Sequence, residues 1–209
     1  MNIYEINTTE HTLDILNNDA KKDFIRIGKG LVKSAFRPMQ PIDFKHTYLP
    51  VSREQGQVMR QLIVENDCKT IVEFGTSFGI STIYLADAAR QTSGKVVTTE
   101  LLENKAEKAT HNIEDAGLSD YVDVRIGDAM ETLKHFDKPI DFLFLDGWKD
   151  LYLPLFKLLE PRFHKNTLIY ADNMDMSGTH NYASYVLEKG NVYSTKSIHN
   201  GKAYLTKYL

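Results

Sequence analysis

The sequence predicts an α/β domain: a doubly wound, mostly parallel seven-stranded sheet closed by a C-terminal antiparallel hairpin. Three observations predict it. Short β-branched or apolar runs alternate with helical stretches five times before the C-terminal region, the pattern of successive βαβ units. The run Phe142-Leu143-Phe144-Leu145 is continuously apolar and bounded by Pro139 and Asp146-Gly147, as suits a strand buried on both faces of a parallel sheet. Val192–Ile198 and Lys202–Tyr208 flank an Asn200-Gly201 pair, a strong hairpin turn signal.

The elements follow in order. Residues 1–48 read as a helical and irregular extension: Phe24, Ile27, Leu31 and Ala35 recur at helical spacing before Pro38, Pro41 and Pro50 break the pattern. Phe36 to Leu49, rich in proline and aromatic residues, is a candidate lid over a substrate or a linker packing onto the core. Residues 49–209 form the main domain. Ser52 and Gln55 fit a capping box at the start of a helix to Asn66. Strand Thr70–Phe74 leads through Gly75-Thr76-Ser77-Phe78-Gly79 into helix Ile80–Arg90. Strand Lys95–Thr99 ends at Glu100, and helix Glu103–Ala116 closes at Gly117. Strand Val122–Ile126 ends at Gly127-Asp128, and a short helix Ala129–Phe136 precedes the apolar run. Leu151–Phe163 is mostly helical, Thr167–Ala171 is a strand ending in Asp172-Asn173, and a helix lies near Tyr182–Glu188.

Composition bounds the function. The chain has 209 residues, 42% hydrophobic and 25% charged, enough for one domain with a substantial core. Its net charge of −3 gives no bias toward nucleic acid or anionic lipid. Met1-Asn2-Ile3-Tyr4-Glu5 does not read as a signal peptide, and no apolar run approaches the ~20 residues of a membrane helix. A cytoplasmic protein with neither a nucleic-acid nor a membrane partner is expected. Cys68 is the single cysteine, so intrachain disulfides are impossible; it reads as a small buried residue. The histidines show no zinc spacing.

Open α/β sheets bind ligands at the carboxyl ends of their strands. Two predicted strands deliver Asp146, Asp172 and Asn173 to one edge, with Lys149 three residues beyond Asp146. Three oxygen ligands without sulfur or imidazole suit a hard cation such as Mg²⁺. The turn Gly75-Thr76-Ser77-Phe78-Gly79 admits three readings. The nicotinamide fingerprint is absent, because Ser77 stands where its second glycine belongs. G-x-S-x-G fits a hydrolase nucleophile elbow with Ser77 as nucleophile and His180 or His199 as base, although an elbow strand normally has several strands before it. E-x-G-x-x-x-G, with an acid (Glu100) ending the next strand, resembles the class I S-adenosylmethionine-dependent methyltransferases.

Within that superfamily Asp146-Gly147-Trp148-Lys149-Asp150-Leu151-Tyr152-Leu153-Pro154 and Ala171-Asp172-Asn173 resemble the cation-dependent catechol and caffeoyl-CoA O-methyltransferases, over roughly Leu49 to the C-terminus. The resemblance implies a Rossmann-like methyltransferase fold, S-adenosylmethionine as cofactor, and Mg²⁺ or a similar ion held by Asp146, Asp172 and Asn173. It implies Lys149 as general base and Trp148 as a wall of the active site. Glu73, Gly75, Ser77 and Ser81, with Val51 and Ser52 nearby, would line the methionine half of the cofactor, with Asp146 beside it. Glu100 would bind the ribose, and Asp128, Ala129 and Met130 would lie by the adenine. The implied reaction is methyl transfer to a hydroxyl of a small catechol-like aromatic, and a homodimer is compatible with it. Two positions depart from the pattern: Gly147 stands where catechol methyltransferases carry a histidine, and Ser194 falls near the place of a glutamate that grips the second catechol hydroxyl. A serine hydrolase, or a module that binds S-adenosylmethionine without turnover, are the alternatives.

Overall fold

A computed structural model describes residues 3–23 and 40–209. The helical spacing of Phe24, Ile27, Leu31 and Ala35, and the first part of the candidate lid, lie outside the described residues.

Seven strands form one sheet: β1 (Thr70–Phe74), β2 (Lys95–Glu100), β3 (Val122–Ile126), β4 (Ile140–Leu145), β5 (Phe163–Ala171), β6 (Tyr193–Ile198) and β7 (Ala203–Tyr208). Their order is β3-β2-β1-β4-β5-β7-β6. The first five are parallel; β7 runs antiparallel to both β5 and β6. The chain therefore winds outward from β1 through β2 to β3, then returns to lay β4 on the other side of β1. That reversal, with Phe74 level with Leu145, opens the crevice in which ligands of such sheets sit.

Helices α1 (Ile3–Ala20), α2 (Arg53–Glu65), α3 (Ile80–Thr92) and α4 (Glu103–Asp115) cover one face; α5 (Ala129–Thr132), α6 (Tyr152–Leu159) and α7 (His180–Glu188) cover the other. Strand parity divides the core accordingly. Ile71, Phe142, Phe144, Leu168 and Tyr170 pack toward the first group, while Val72, Phe74, Leu143, Leu145, Ile169 and Ala171 pack toward the second. This explains why β4 carries no polar alternation after Asp141: both of its faces are buried.

The local signals act largely as read. Ser52 caps α2 and its Oγ accepts from Gln55 N–H at 3.1 Å, while Gln55 returns a bond to Ser52 N–H at 2.9 Å. Gly117, just past α4, has φ +71°. Boundaries differ in several places. The short helix stops at Thr132, four residues before Phe136. Leu151–Phe163 divides into α6, a 3₁₀ turn over Glu160–Arg162, and the start of β5, which begins at Phe163 rather than Thr167 because β5 runs on beside Ile140. The hairpin turn takes in His199 as well: His199, Asn200 and Gly201 all have positive φ. No described helix is long and apolar enough to cross a membrane.

Candidate active site

A cavity of about 800 Å³ opens at the carboxyl ends of β1, β2, β4 and β5. Its floor is made by two loops that touch. Gly75 has φ +106°, and a Cβ there would meet Asp146 O and Gly147 N at 2.8 Å, so the β1 turn can pass against the β4 turn only as glycine. Gly147 is crowded by a side chain instead: a Cβ at 147 would fall into the far end of the Phe74 ring, which would have to shift. The departure from histidine at this position thus has a local cause. Phe74, itself lining the cavity, fills the space that a side chain at 147 would need.

On the β2 side, Glu100 is held by backbone donors. Its Oε2 accepts from Ser77 N–H at 2.8 Å and its Oε1 from Leu102 N–H at 3.0 Å. One carboxylate thereby ties the glycine turn to the start of α4. Further along, Asp128 caps the four-residue α5, with Oδ1 accepting from Met130 N–H at 2.8 Å.

On the β4 side, Asp146 and Asp172 end adjacent parallel strands. Asp146 N–H donates to Phe74 O at 2.9 Å and Asp172 N–H to Leu145 O at 3.0 Å, which keeps the two carboxylates in step. Lys149 Nζ donates to Asp146 Oδ1 and to Tyr152 Oη, each at 3.0 Å; Tyr152 Oη in turn donates to Asp172 O at 3.0 Å. Gln55 Nε2, reaching from α2, donates to Asp172 Oδ1 at 2.8 Å. Asn173 follows with φ +56°, a left-handed conformation that asparagine tolerates.

This set fits a hard cation. Burial pushes the Asp146 carboxyl up to about 6; Lys149 opposes the rise and Asp172 adds to it. Of the two buried carboxylates only Asp146 is paired with the Lys149 ammonium, while Asp172 takes a neutral amide donor from Gln55, so the site carries negative charge that a divalent ion would offset. Among the described residues no three His, Cys, Asp or Glu side chains group as a metal site. The expected set has only two carboxylates and takes its third oxygen from the Asn173 amide.

The cavity brings together Val51, Gly75, Ser77, Ser81, Glu100, Asp128, Ala129, Asp146, Trp148, Lys149, Asp172 and Asn173. Three expected residues are not on its wall. Ser52 is exposed and spends its hydroxyl on the α2 cap. Met130 lies behind Ala129, packed on the core beneath α5. Glu73 is fully buried and turned away, its Oε2 accepting from Thr82 and Thr98 hydroxyls at 2.6 Å each. One link to the cavity runs through Thr98, whose hydroxyl meets that of the cavity-lining Thr76 at 2.6 Å, and a second is the cavity-lining Ser81, whose hydroxyl also favours the Glu73 carboxylate.

Ser194 is exposed on β6, the outer strand of the sheet, and does not line the cavity. The hydrolase reading loses its base. Ser77 Oγ donates to Tyr48 O at 2.6 Å and accepts from Lys105 Nζ at 3.3 Å, and neither His180 nor His199 lines the cavity.

Sequence reasoning missed Phe74, Lys105, Met176 and Gly178 on the wall. Lys105 carried a usable signal: it shares the buried face of α4 with Ala109, Asn112 and Ile113, an unusual place for an ammonium. Pro41, Phe44, Tyr48 and Leu49 also line the cavity.

Residues 72–174 match the family described as a methyltransferase domain. Catechol O-methyltransferase of Sus scrofa is 30% identical over 149 residues, covering 68% of this chain and 80% of its own length. Catechol O-methyltransferase of Niastella koreensis is 34% identical over 134 residues, 62% of this chain, and the match spans only 60% of that relative. The O-methyltransferase of Bacillus cereus, solved in complex with S-adenosylhomocysteine, superposes with a TM-score of 0.66 at 27% identity, covering 77% of this chain and 83% of its own.

Proposed function

Since the chain belongs to the class I S-adenosylmethionine-dependent O-methyltransferases, we propose that it moves a methyl group from S-adenosylmethionine to one hydroxyl of a small vicinal-dihydroxy aromatic, with Lys149 as base and with Mg²⁺ or a similar ion held by Asp146, Asp172 and Asn173. The observation that carries this reading is the convergence of those four residues on one cavity wall, beside the Gly75 turn. The catechol O-methyltransferase relatives support the acceptor class.

In this reading Val51, Gly75, Ser77 and Ser81 flank the methionine half of the donor. Glu100, already aimed by two backbone N–H groups, takes the ribose hydroxyls. Asp128 and Ala129 edge the adenine, and Trp148 walls the reacting centre. Pro41, Phe44, Tyr48 and Leu49 are the part of the lid that reaches the cavity.

A phenol ionises near pH ~10, so little phenolate exists at neutral pH. Asp146, Asp172 and Asn173 would hold the cation, whose positive charge would favour the ionised oxygen. To act as base Lys149 must first give one ammonium proton to solvent; the neutral Nζ, which Asp146 and Tyr152 hold at a fixed point on the wall, then takes the phenol proton and becomes ammonium again. Phenolate and sulfonium carry opposite charges that cancel as the methyl moves, so positioning dominates over charge stabilisation.

The test is methyl transfer to a panel of catechols, including caffeate and dihydroxybenzoates, with Mg²⁺ or with EDTA. Transfer that needs the metal supports the whole constellation. Equal transfer in EDTA removes the cation from the reading. Binding of S-adenosylhomocysteine without transfer to any catechol moves the acceptor elsewhere or leaves a binding module, and absence of binding overturns the assignment.

A further inference from the structure

Among the described residues two lysines line the cavity, and they stand in different electrostatic positions. Lys149 lies 3.0 Å from Asp146 Oδ1. Lys105 is only 5% exposed and has no carboxylate within ion-pair distance among the described residues. Its one hydrogen bond goes to Ser77 Oγ at 3.3 Å, a neutral hydroxyl already committed to Tyr48 O. The Phe78 ring lies 5.2 Å from its Nζ. Glu100 makes no hydrogen bond to it; its two oxygens accept from the N–H groups of Ser77 and Leu102.

An ammonium has three donors, and a buried one without an anion is costly. Burial accordingly lowers the Lys105 pKa, against the more distant pull of Glu100 and Asp23. A hydrocarbon side chain would suit the buried face of α4 better, with Ala106 and Ala109 around it. What distinguishes the position is that it lines the cavity beside Ser77. The missing anion is therefore one that arrives with a ligand.

The donor narrows the choice. At neutral pH S-adenosylmethionine carries a sulfonium, an ammonium, a neutral adenine and a single anionic group, the carboxylate of its methionine half. Ser77, the residue Lys105 bonds, belongs to the turn read as flanking that half. Resting on the reading of this cavity as the donor's pocket, we propose that Lys105 binds the methionine carboxylate of S-adenosylmethionine. Lys105 is then a binding residue for the donor and its product, and takes no part in the proton transfer at Lys149.

The experiment compares S-adenosylhomocysteine with its decarboxylated analogue, which keeps the nucleoside, thioether and amine, by calorimetry on the wild-type protein and on Lys105→Met. A charge-assisted hydrogen bond of the usual strength makes the wild-type protein prefer S-adenosylhomocysteine by about 10- to 100-fold. Lys105→Met abolishes the preference while leaving the affinity for the analogue unchanged, which also certifies that the pocket is folded. If Lys105→Met fails to fold, Lys105→Gln replaces it in the same comparison.

Equal wild-type affinity for the two nucleosides overturns the proposal and leaves the donor pocket in place. So does a preference that survives Lys105→Met. A raised acceptor KM with unchanged S-adenosylhomocysteine affinity overturns it too, assigning Lys105 to an acidic acceptor instead. Failure of the wild-type protein to bind either nucleoside overturns the reading of the cavity itself, and the proposal with it.

Discussion

Replacing Glu73 with glutamine keeps the shape of a fully buried side chain and removes its charge. In the folded protein the carboxylate has two hydroxyl donors on Oε2, from Thr82 and Thr98 at 2.6 Å each, and no partner on Oε1. Burial outweighs those hydroxyls, with Ser81 also helping, and lifts the pKa from 4.5 to about 7. The sign follows from linkage. Below pH 4.5 the carboxyl is protonated in both states and the full stability is present. Between 4.5 and about 7 the unfolded chain gives up its proton while the folded one retains it, so stability falls as pH rises. At ~1.4 kcal/mol per pH unit, the loss across that window is about 3 kcal/mol. Glu73→Gln has no proton to lose. Urea unfolding of both proteins at several pH values therefore shows the glutamine variant gaining on the wild type by about 3 kcal/mol from pH ~4.5 to ~8, where the curves run parallel. A difference that stays flat with pH, or shrinks, refutes the placement of an uncompensated carboxylate at Glu73.

Four further outcomes are expected. Lys149→Ala lowers kcat by ~100-fold or more while S-adenosylhomocysteine binds as before, the signature of a lost proton acceptor; unchanged turnover removes Lys149 as the base. Asp172→Ala loses the stimulation of transfer by Mg²⁺, and stimulation of wild-type size removes Asp172 from the cation set. Gly147→Ala, whose methyl meets Phe74, costs about 1–3 kcal/mol in denaturant unfolding, and adding Phe74→Leu recovers part of it; additive losses would show that the two do not compete for space. Ser52→Ala removes the α2 cap and costs about 1 kcal/mol, with donor binding unaltered because the hydroxyl is not on the cavity wall.

How much of this was legible in the sequence depended on whether a residue's role is set locally. The run Phe142–Leu145 announces a doubly buried strand because it is short for a helix and is bounded by Pro139 on one side and Asp146-Gly147 on the other. Asp146, Asp172 and Asn173 then follow from strand-end position, with Lys149 three residues beyond Asp146; the role of Lys149 comes from the family resemblance. Glu73 was legible as a strand residue but not as one facing away from the ligand. Its direction depends on which face holds Thr82 and Thr98, and those hydroxyls belong to α3 and β2. Ser194 was placed by counting back from the hairpin turn, which is sound for β6 against β7 but silent about β5. Since β7 inserts between β5 and β6, the counted position lands on the outer edge of the sheet. Lys105 was hidden because a lysine in a charged helix reads as solvated, and only its phase relative to Ala109 and Ile113 marks it as inward. Gly147 shows the same limit in reverse: its bareness is caused by Phe74, a partner on another strand.

The insertion of β7 also bears on how the chain comes into being. During synthesis β5, which carries Asp172 and Asn173 at its tip, emerges with β4 already available on one side. Its other side must wait for Ala203–Tyr208, paired from Leu168 against Lys207 to Ala171 against Tyr204. Until then β5 presents an unpaired edge rich in apolar side chains, and β6 has no partner at all. A nascent chain halted before residue 203 would thus lack the partner of β5, leaving two of the three residues of the proposed cation set beside an open, adhesive border. Competence for chemistry and protection from aggregation arrive together, with the same short segment.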